Sequence, residues 1–185
     1  MKRSLGAKTI SYPLPVYIVG TYDKDGVPNI MAASWGGICN SIPPAIAISV
    51  RKSRHTYHNL SESGAFTVNI PSDDLVKEAD YSGTFSGKDV NKFKELGITP
   101  EKHEKANAPY IKEFPISIIC KVIKTVDIGS HIQFIGEILD VLAEEDVCDE
   151  NGVPQMELIK PLVYDYATRS YYIVKDKTSK AYISR

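Results

Sequence analysis

Two long segments rich in β-branched residues constrain the fold more than any other part of this 185-residue chain. Residues 116–126 are almost continuous in isoleucine and valine, and residues 132–143 alternate through Phe134, Gly136 and Ile138. The residues between the two segments include a glycine and a serine, which are typical of a turn. Because β-branched residues in short apolar or alternating runs favour strands, the pattern predicts two long strands joined by a turn.

Shorter apolar runs bounded by turn-forming residues predict the remaining elements. Further strands are expected over residues 16–22, 28–35, 45–50, 65–70, 160–164 and 170–174. Helices are expected over residues 56–63, from residue 72 or 73 to about 81, and over residues 90–96. Connections are expected over residues 39–44, 82–89 and 99–113, with an exposed acidic segment over residues 144–155. Together, these elements predict one mainly β domain over residues 1–185, an antiparallel β-barrel with a few short helices.

Composition excludes several classes of protein. The formal net charge of −1 argues against a nucleic-acid-binding surface, and no run of about 18 apolar residues indicates a membrane span. The N-terminal residues lack an apolar signal core, which predicts a cytoplasmic protein. Cys39, Cys120 and Cys148 form no Cys-x-x-Cys pair, so neither a disulfide framework nor a zinc site is indicated. His55 and His58 stand three residues apart without an evident third ligand, and we expect no metal site.

A basic stretch lies between a predicted strand and a predicted helix. Arg51, Lys52 and Arg54 place three cations within four residues, and Ser49 and Thr56 add hydroxyl groups. A guanidinium offers a forked pair of donors to phosphate oxygens, and a helix N-terminus adds unpaired N–H groups. The stretch therefore suits an anionic group. A solvated basic turn explains it equally well, because runs of charge are usually at the surface.

The predicted strand over residues 28–35 carries three small side chains in a row, at Ala32, Ala33 and Ser34, just before Trp35. Small side chains let the backbone approach a flat ligand, and the polar groups at a strand end can bond to atoms at a ring edge. A tight crossing of strands or a β-bulge explains the same residues. Both interpretations remain open from the sequence.

Five ordered segments together resemble the flavin reductase-like family. They are Asn29-x-Met-Ala-Ala-Ser-Trp35, Ser41-x-Pro-Pro44, Ser49-Val-Arg-x-x-Arg-x-Thr56, Gly129-Ser-His-x-x-x-x-Gly-Glu137, and Pro161-Leu-Val-Tyr164 with Tyr171-Tyr172. Ser130 stands where the family usually has an acidic residue. The resemblance covers about residues 10–185, and Trp35 with the Arg-x-x-Arg-x-Thr segment is most similar to flavoredoxins and related FMN-binding proteins.

The resemblance implies an FMN-binding split β-barrel, usually a homodimer with the flavin near the subunit interface. The residues implied along the isoalloxazine ring are Ala32, Ala33, Ser34 and Trp35. The residues implied at the ribityl chain and phosphate are Ser49, Val50, Arg51, Arg54 and Thr56. A loop near the cofactor tail adds Ser86, Gly87, Lys88, Lys92 and Phe93, and Asn29 also counts as cofactor-binding. His131 is the candidate catalytic residue, at the reactive face of the ring or the nicotinamide site, unless it is a strand-end histidine bonded to a carbonyl.

The function implied is an FMN-dependent oxidoreductase that moves electrons from a reduced donor, NAD(P)H, to flavin or another acceptor. No Gly-x-Gly-x-x-Gly follows a predicted strand, so a pyridine nucleotide would bind transiently against the flavin. One alternative is a flavoredoxin-type electron carrier that exchanges electrons with a partner redox protein, and another is a non-catalytic FMN-binding barrel. The homodimer is also favoured by five tyrosines in the last 22 residues, including Tyr182, because aromatic residues are frequent at interfaces.

Overall fold

The computed structural model of the chain describes residues 1–174 and 176–181, so Tyr182 lies outside the described residues. The strands are β1 Leu14–Pro15, β2 Tyr17–Tyr22, β3 Pro28–Ala33, β4 Gly36–Ser41, β5 Pro44–Arg51, β6 Ala65–Ile70, β7 Pro100–His103, β8 Ala106–Ile111, β9 Ile116–Asp127, β10 His131–Ala143, β11 Leu162–Asp165 and β12 Ser170–Ile173. The helices are α1 His55–Ser63, α2 Val76–Thr84, α3 Lys92–Leu96 and α4 Met156–Ile159, with 3₁₀ turns at Asp73–Leu75 and Glu145–Val147. No helix within these residues is long and apolar enough to cross a membrane.

A seven-stranded antiparallel sheet organises the chain, in the order β3-β2-β6-β9-β10-β5-β4. The two long predicted strands are β9 and β10, and they pair along nearly their whole length. A smaller sheet joins β1, β11 and β12, and β7 pairs with β8 as a separate hairpin. The prediction of two long antiparallel strands joined by a turn is confirmed.

The inward side chains of this sheet share one apolar core. Val19 of β2, Met31 of β3, Ile48 of β5, Phe66 of β6 and Phe134 of β10 all belong to it. Since β3 and β5 are five places apart in the strand order, the sheet must curl to bring their side chains together. The mainly β, antiparallel split β-barrel expected from the sequence is confirmed.

A second apolar cluster lies on the outer side of β2 and β3. Ile18 and Ile30 point into it, and they meet Ala79 of α2, Phe93 of α3 and Leu162 of β11. The outer cluster therefore fixes two short helices and the small C-terminal sheet beside β3. This arrangement leaves a cavity at the end of β3, between the barrel and the C-terminal sheet.

Two predicted connections contain strands instead. The connection expected over residues 39–44 begins within β4, which pairs with β5, and the connection expected over residues 99–113 contains the β7–β8 hairpin. Both regions are polar and lack strict alternation, so their strand character comes from the partner strand that supplies the hydrogen bonds. In β8 only Ala108, Pro109 and Ile111 are buried, which gives too weak a pattern to predict a strand.

Two helical details also differ from the prediction. Helix α2 continues to Thr84, where a Gly/Ser loop was expected from residue 82, because Ser82 is buried and its carbonyl accepts a hydrogen bond from the ammonium of Lys92 in α3. The acidic segment expected to be exposed buries Val147, and the single turn of α4 follows it. Both differences arise from tertiary packing that local composition does not reveal.

Gly136 explains how the long strand β10 passes over the core. A Cβ atom built at this residue would lie 2.5 Å from Cζ of Phe66 and 3.0 Å from Cβ of Cys120. The register of β10 against β9 also shifts next to Gly136. The glycine therefore makes room for a fully buried aromatic ring, which is a usual reason for glycine inside a strand.

We expect Gly136→Ala to lower the free energy of unfolding by about 1–3 kcal/mol, because the added methyl group overpacks the core against Phe66. Urea unfolding followed by circular dichroism measures the change. Gly37→Ala is the matched control, since Gly37 also lies in a strand and a Cβ built there meets no atom within 4 Å. Equal destabilisation of both variants would contradict the packing explanation.

Candidate functional site

A cavity of about 610 Å³ opens between the end of β3, the end of β5, the turn before β10 and the small C-terminal sheet. It brings together most of the residues that the sequence assigns to a flavin ring and its ribityl chain. The predicted residues that line it are Ala32, Ala33, Ser34, Trp35, Ser49, Val50, Arg51, Arg54 and His131.

The floor of the cavity is formed where the chain leaves β3. The strand ends at Ala33, and the carbonyl of Trp35 accepts a hydrogen bond from the backbone N–H of Ser49 at 2.8 Å. Ala32 has a packing reason to be small, because a Cβ atom built at Gly83 of α2 would lie 3.2 Å from its methyl group. The close packing at Ala32 is therefore against helix α2, and not the crossing of strands considered from the sequence.

Three aromatic rings meet at the cavity. The indole of Trp35 and the imidazole of His131 lie in planes within 9° of each other, with ring centroids 6.4 Å apart. The phenol of Tyr166 stands at 84° to the indole, with centroids 5.5 Å apart. Trp35 remains 37% exposed although it lies among these rings. Two rings in parallel planes can both contact one flat ligand, and the perpendicular ring limits how far that ligand extends.

The ladder between β5 and β10 places Arg51 directly opposite His131. The hydroxyl of Ser130 lies 2.9 Å from Nδ1 of His131. Burial, and then the positive charge of Arg51, lower the pKa of His131 below its usual value. The imidazole is therefore mainly neutral at pH 7, with one N–H donor and one acceptor nitrogen.

Arg54 lines the same cavity as Arg51, but it lies at the start of α1, whereas Arg51 ends β5. It occupies the N-cap of α1 in an extended conformation, and its side chain makes no capping hydrogen bond. Its charge acts on Lys92, whereas the charge of Arg51 acts on His131. Within residues 1–174 and 176–181, neither guanidinium forms an ion pair. The basic stretch thus presents two guanidinium groups to the same cavity, one near His131 and one near Lys92.

Lys92 and Phe93 line neither this cavity nor the smaller one beside it. The buried ammonium of Lys92 donates to the carbonyls of Ile30 at 2.7 Å and Ser82 at 2.8 Å. Burial, and then the charge of Arg54, lower the pKa of Lys92 to about 8. Phe93 packs in the outer apolar cluster. The structure thus gives both residues a packing role, which joins β3 to α2 and α3.

A second cavity, of about 240 Å³, contains Asn29, Gly87 and Lys88 from the predicted set. The buried amide of Asn29 donates from Nδ2 to the hydroxyl of Thr56 at 3.0 Å. Its Oδ1 has no hydrogen-bond partner among the described residues. A Cβ atom built at Gly87 would collide with this oxygen, so only glycine lets the turn that begins at Ser86 close over the amide. A buried acceptor without a donor is costly, and it suits a ligand hydroxyl.

The sequence did not identify the tyrosine wall of the main cavity. Tyr164, Tyr166 and Tyr171 line it, and Tyr171 donates its hydroxyl to Asp80 of α2 at 3.2 Å. Burial, and then Asp80, raise the pKa of Tyr171 to about 12, so the phenol stays protonated. The cluster of tyrosines is visible in the sequence, where it favours an interface. Its place in the cavity depends on the pairing of β11 with β1, which local sequence does not encode.

Comparison with known proteins identifies the family. The family model for the flavin reductase like domain matches residues 9–174. The chain belongs to the flavin reductase-like family. The resemblance that the five sequence segments indicate is thereby confirmed.

Solved structures and a curated relative agree with this family. Flavoredoxin of Desulfovibrio vulgaris (Miyazaki F) is 47% identical with a TM-score of 0.95, and the match covers 100% of this chain and 99% of that chain. Flavoredoxin from Methanosarcina acetivorans is 32% identical with a TM-score of 0.93, covering 100% and 97%. A ferric-chelate reductase (NAD(P)H) of Archaeoglobus fulgidus is 30% identical over 138 residues, which are 74% of this chain and 79% of that protein.

We expect Arg51→Gln to raise the pKa of His131 towards its ordinary value, because a repelling positive charge is removed. An NMR pH titration of the four histidines measures the pKa, and the spectrum of His131→Ala assigns the signal. Lys52→Gln is the matched control, since Lys52 is the neighbouring cation but pairs with Asp127 at 2.7 Å. A pKa of His131 that shifts equally in both variants would contradict a specific effect of Arg51.

Proposed function

We propose that the chain binds FMN non-covalently and acts as a flavin-dependent oxidoreductase. The observation that carries this proposal is the buried amide oxygen of Asn29 together with the guanidinium of Arg54, neither of which has a partner among the described residues, beside a cavity with aromatic walls. A flat ring, a polyhydroxyl chain and a phosphate need these three kinds of partner. Membership of the flavin reductase-like family and the likeness to two flavoredoxins support the same cofactor.

The residues of the two cavities suit the parts of FMN separately. Ser34 and Trp35 would contact the ring, together with the backbone of Ala32 and Ala33, in the larger cavity. The phosphate would be held on the Arg54 side, with Lys88 of the smaller cavity as a second cation. When bound, FMN supplies the electron-transfer chemistry.

Hydroxyl and backbone groups complete the proposed cofactor site. A ribityl hydroxyl can donate to the free oxygen of Asn29, while Thr56 fixes the other end of that amide. Ser49 and Val50, which line the cavity at the end of β5, would border the ribityl chain. Ser86 shapes the turn over the amide, where its hydroxyl accepts the backbone N–H of Lys88 at 3.2 Å.

We propose NAD(P)H as the reduced donor, with flavin or another small molecule as the acceptor. The relative named ferric-chelate reductase (NAD(P)H) supports this donor. The main cavity remains open at the exposed face of Trp35, beside the neutral imidazole of His131. His131 can therefore donate a hydrogen bond to a nicotinamide or to reduced flavin, which makes it the proposed catalytic residue.

A second candidate function is an electron carrier that exchanges electrons with a partner redox protein and does not use NAD(P)H. The 47% identity to a flavoredoxin over essentially the whole of both chains favours this candidate. Both functions use the same flavin site, so they differ only in the molecule that reaches the open face of the cavity.

We propose in addition that the chain forms a homodimer. At the edge strand β4 and the turn after it, Ile38 is 67% exposed and Ile42 is 91% exposed. Large exposed apolar side chains on an unpaired sheet edge favour association. We expect the mass of a dimer in light scattering at micromolar concentration, and the mass of a monomer would contradict this proposal.

We expect Arg54→Gln to weaken FMN binding by about ten- to a hundredfold, since one charged hydrogen bond contributes about 1.5–3 kcal/mol. Riboflavin, which lacks the phosphate, should bind the variant and the unsubstituted protein equally. Isothermal titration of the flavin-free protein measures both affinities, and Lys52→Gln controls for the loss of a nearby charge. If FMN and riboflavin weaken equally, Arg54 does not contact the phosphate.

We expect His131→Ala to retain FMN but to slow its reduction by NAD(P)H about tenfold or more, because the donor loses a group that orients it. Anaerobic stopped-flow absorbance measures the rate, and FMN content is determined on the same preparation. His58→Ala is the control, since His58 is exposed on α1 outside the cavity. An unchanged rate of FMN reduction, at full FMN content, would show that His131 has a structural role and not a catalytic one.

Anaerobic stopped-flow absorbance also distinguishes the oxidoreductase from the electron carrier. Reduction of the unsubstituted protein by NADH or NADPH supports the oxidoreductase. Reduction by a reduced low-potential ferredoxin, together with failure of both pyridine nucleotides, supports the electron carrier. A protein that binds FMN but accepts electrons from neither source is a non-catalytic FMN-binding barrel.

A further inference from the structure

The N-terminal arm, residues 1–11, packs against little of its own chain. Every residue of the arm is exposed, and none belongs to a helix or a strand. No backbone hydrogen bond joins the arm to another part of the described chain. Its apolar side chains Leu5 and Ile10 are 60% and 42% exposed. Exposed apolar side chains on a segment without backbone partners favour packing against a second surface.

The arm also concentrates positive charge. It contains Lys2, Arg3 and Lys8 but no aspartate or glutamate, although the whole chain has a formal net charge of −1. Within residues 1–174 and 176–181, none of these three side chains forms an ion pair. The arm therefore suits a surface that combines free carboxylates with apolar side chains.

A groove of about 660 Å³, the acidic groove, has this combination of groups. Its apolar lining includes Val147, Leu158 and Ile159, and Leu158 is 51% exposed. Carboxylates in the lining outnumber the lysines, which are Lys112 and Lys160. The carboxylates are those of Asp73, Asp74, Glu113, Glu144 and Asp146.

Part of the negative charge in the acidic groove is uncompensated. Lys160 lies 3.7 Å from Asp73 and balances that carboxylate. Among the described residues, the exposed carboxylates of Glu144 and Asp146 have no ion-pair partner. A basic segment that enters the groove therefore meets free carboxylates together with aliphatic side chains.

The arm of a chain points away from the acidic groove of the same chain. Strand β1 runs antiparallel to β11, with Leu14 opposite Tyr164. The arm leaves β1 towards the far end of β11, where Thr9 and Tyr166 both line the main cavity. The acidic groove lies at the other end, where residues 158–160 precede β11. A second copy of the chain is therefore the available source of an arm for this groove.

We propose that the N-terminal arm of one copy of the chain docks in the acidic groove of a second copy, and that two copies exchange arms in this way. This inference rests on the proposed homodimer, to which it adds a contact separate from that at β4, and it does not depend on the flavin. Lys2, Arg3 and Lys8 would meet the carboxylates, and Leu5 would pack beside Leu158. Twofold symmetry fills both grooves at once.

Photo-crosslinking from the acidic groove identifies its occupant. Leu158 is replaced by p-benzoylphenylalanine in the full-length protein, which then exchanges subunits with unsubstituted protein labelled with ¹⁵N. Native mass spectrometry confirms the mixed dimers, and mass spectrometry of the crosslinked peptides identifies the captured segment and its chain. We expect capture of labelled residues 1–11. Capture of unlabelled residues 1–11 alone, of residues 175–185 alone, or of no segment in confirmed mixed dimers would overturn the inference.

A charge exchange between the arm and the groove is a second test. Combining Lys2→Glu, Arg3→Glu and Lys8→Glu should weaken the dimer by about tenfold or more, because attraction becomes repulsion. Glu144→Lys with Asp146→Lys should also weaken it, and both sets together should restore the affinity to within about threefold. Analytical ultracentrifugation measures the dissociation constants. Unchanged constants, or two weakened sets without restoration in the combination, would contradict docking of the arm in the groove.

Two further measurements on the same preparations separate the possible failures. A monomeric unsubstituted protein would overturn this inference together with the proposed homodimer. A dimer whose groove captures no partner arm would overturn this inference and leave the homodimer intact. FMN content is determined independently, so a result on the arm does not alter the test of the proposed flavin-dependent function.

Discussion

The pairing of β5 with β10 fixes where the charged end of β5 meets His131 at the main cavity. Residues 45–51 lie opposite residues 131–137 in a continuous antiparallel register, which ends at Arg51 and His131. A slip by one residue would turn Ile48 and Phe134 out of the core. Each of these side chains is fully buried, and burial of each contributes about 1.5–3 kcal/mol. The apolar core therefore decides where the charged end of β5 meets the imidazole.

The site itself adds little to stability and depends on this core. A buried ammonium and a buried amide oxygen that has no donor among the described residues cost free energy, whereas the exposed guanidinium groups of Arg51 and Arg54 are solvated. The ammonium of Lys92 is compensated by two carbonyl acceptors, whereas Oδ1 of Asn29 has no donor among the described residues. A ligand whose hydroxyl donates to this oxygen offsets that cost and also stabilises the folded state by mass action.

Much of the fold can be predicted from the sequence, because buried strands leave recognisable runs of apolar residues in it. The apolar runs of β5, β9 and β10 and the glycine that ends α1 are visible in this way. Strand β4 and the β7–β8 hairpin are not visible, since their polar residues become strands only through their partners. The different neighbours of Arg51 and Arg54 depend on β10 and α3, which are distant in sequence, so only the structure separates the two arginines.

The flavin content of the purified protein tests most directly whether the two cavities form a cofactor site. Acid or heat releases a non-covalently bound flavin, and chromatography with mass spectrometry identifies it. We expect FMN at about one molecule per chain after reconstitution, since each chain carries one set of the partners that the ring, the ribityl chain and the phosphate require. Recovery of FAD alone, or of no flavin after incubation with excess FMN, would contradict it.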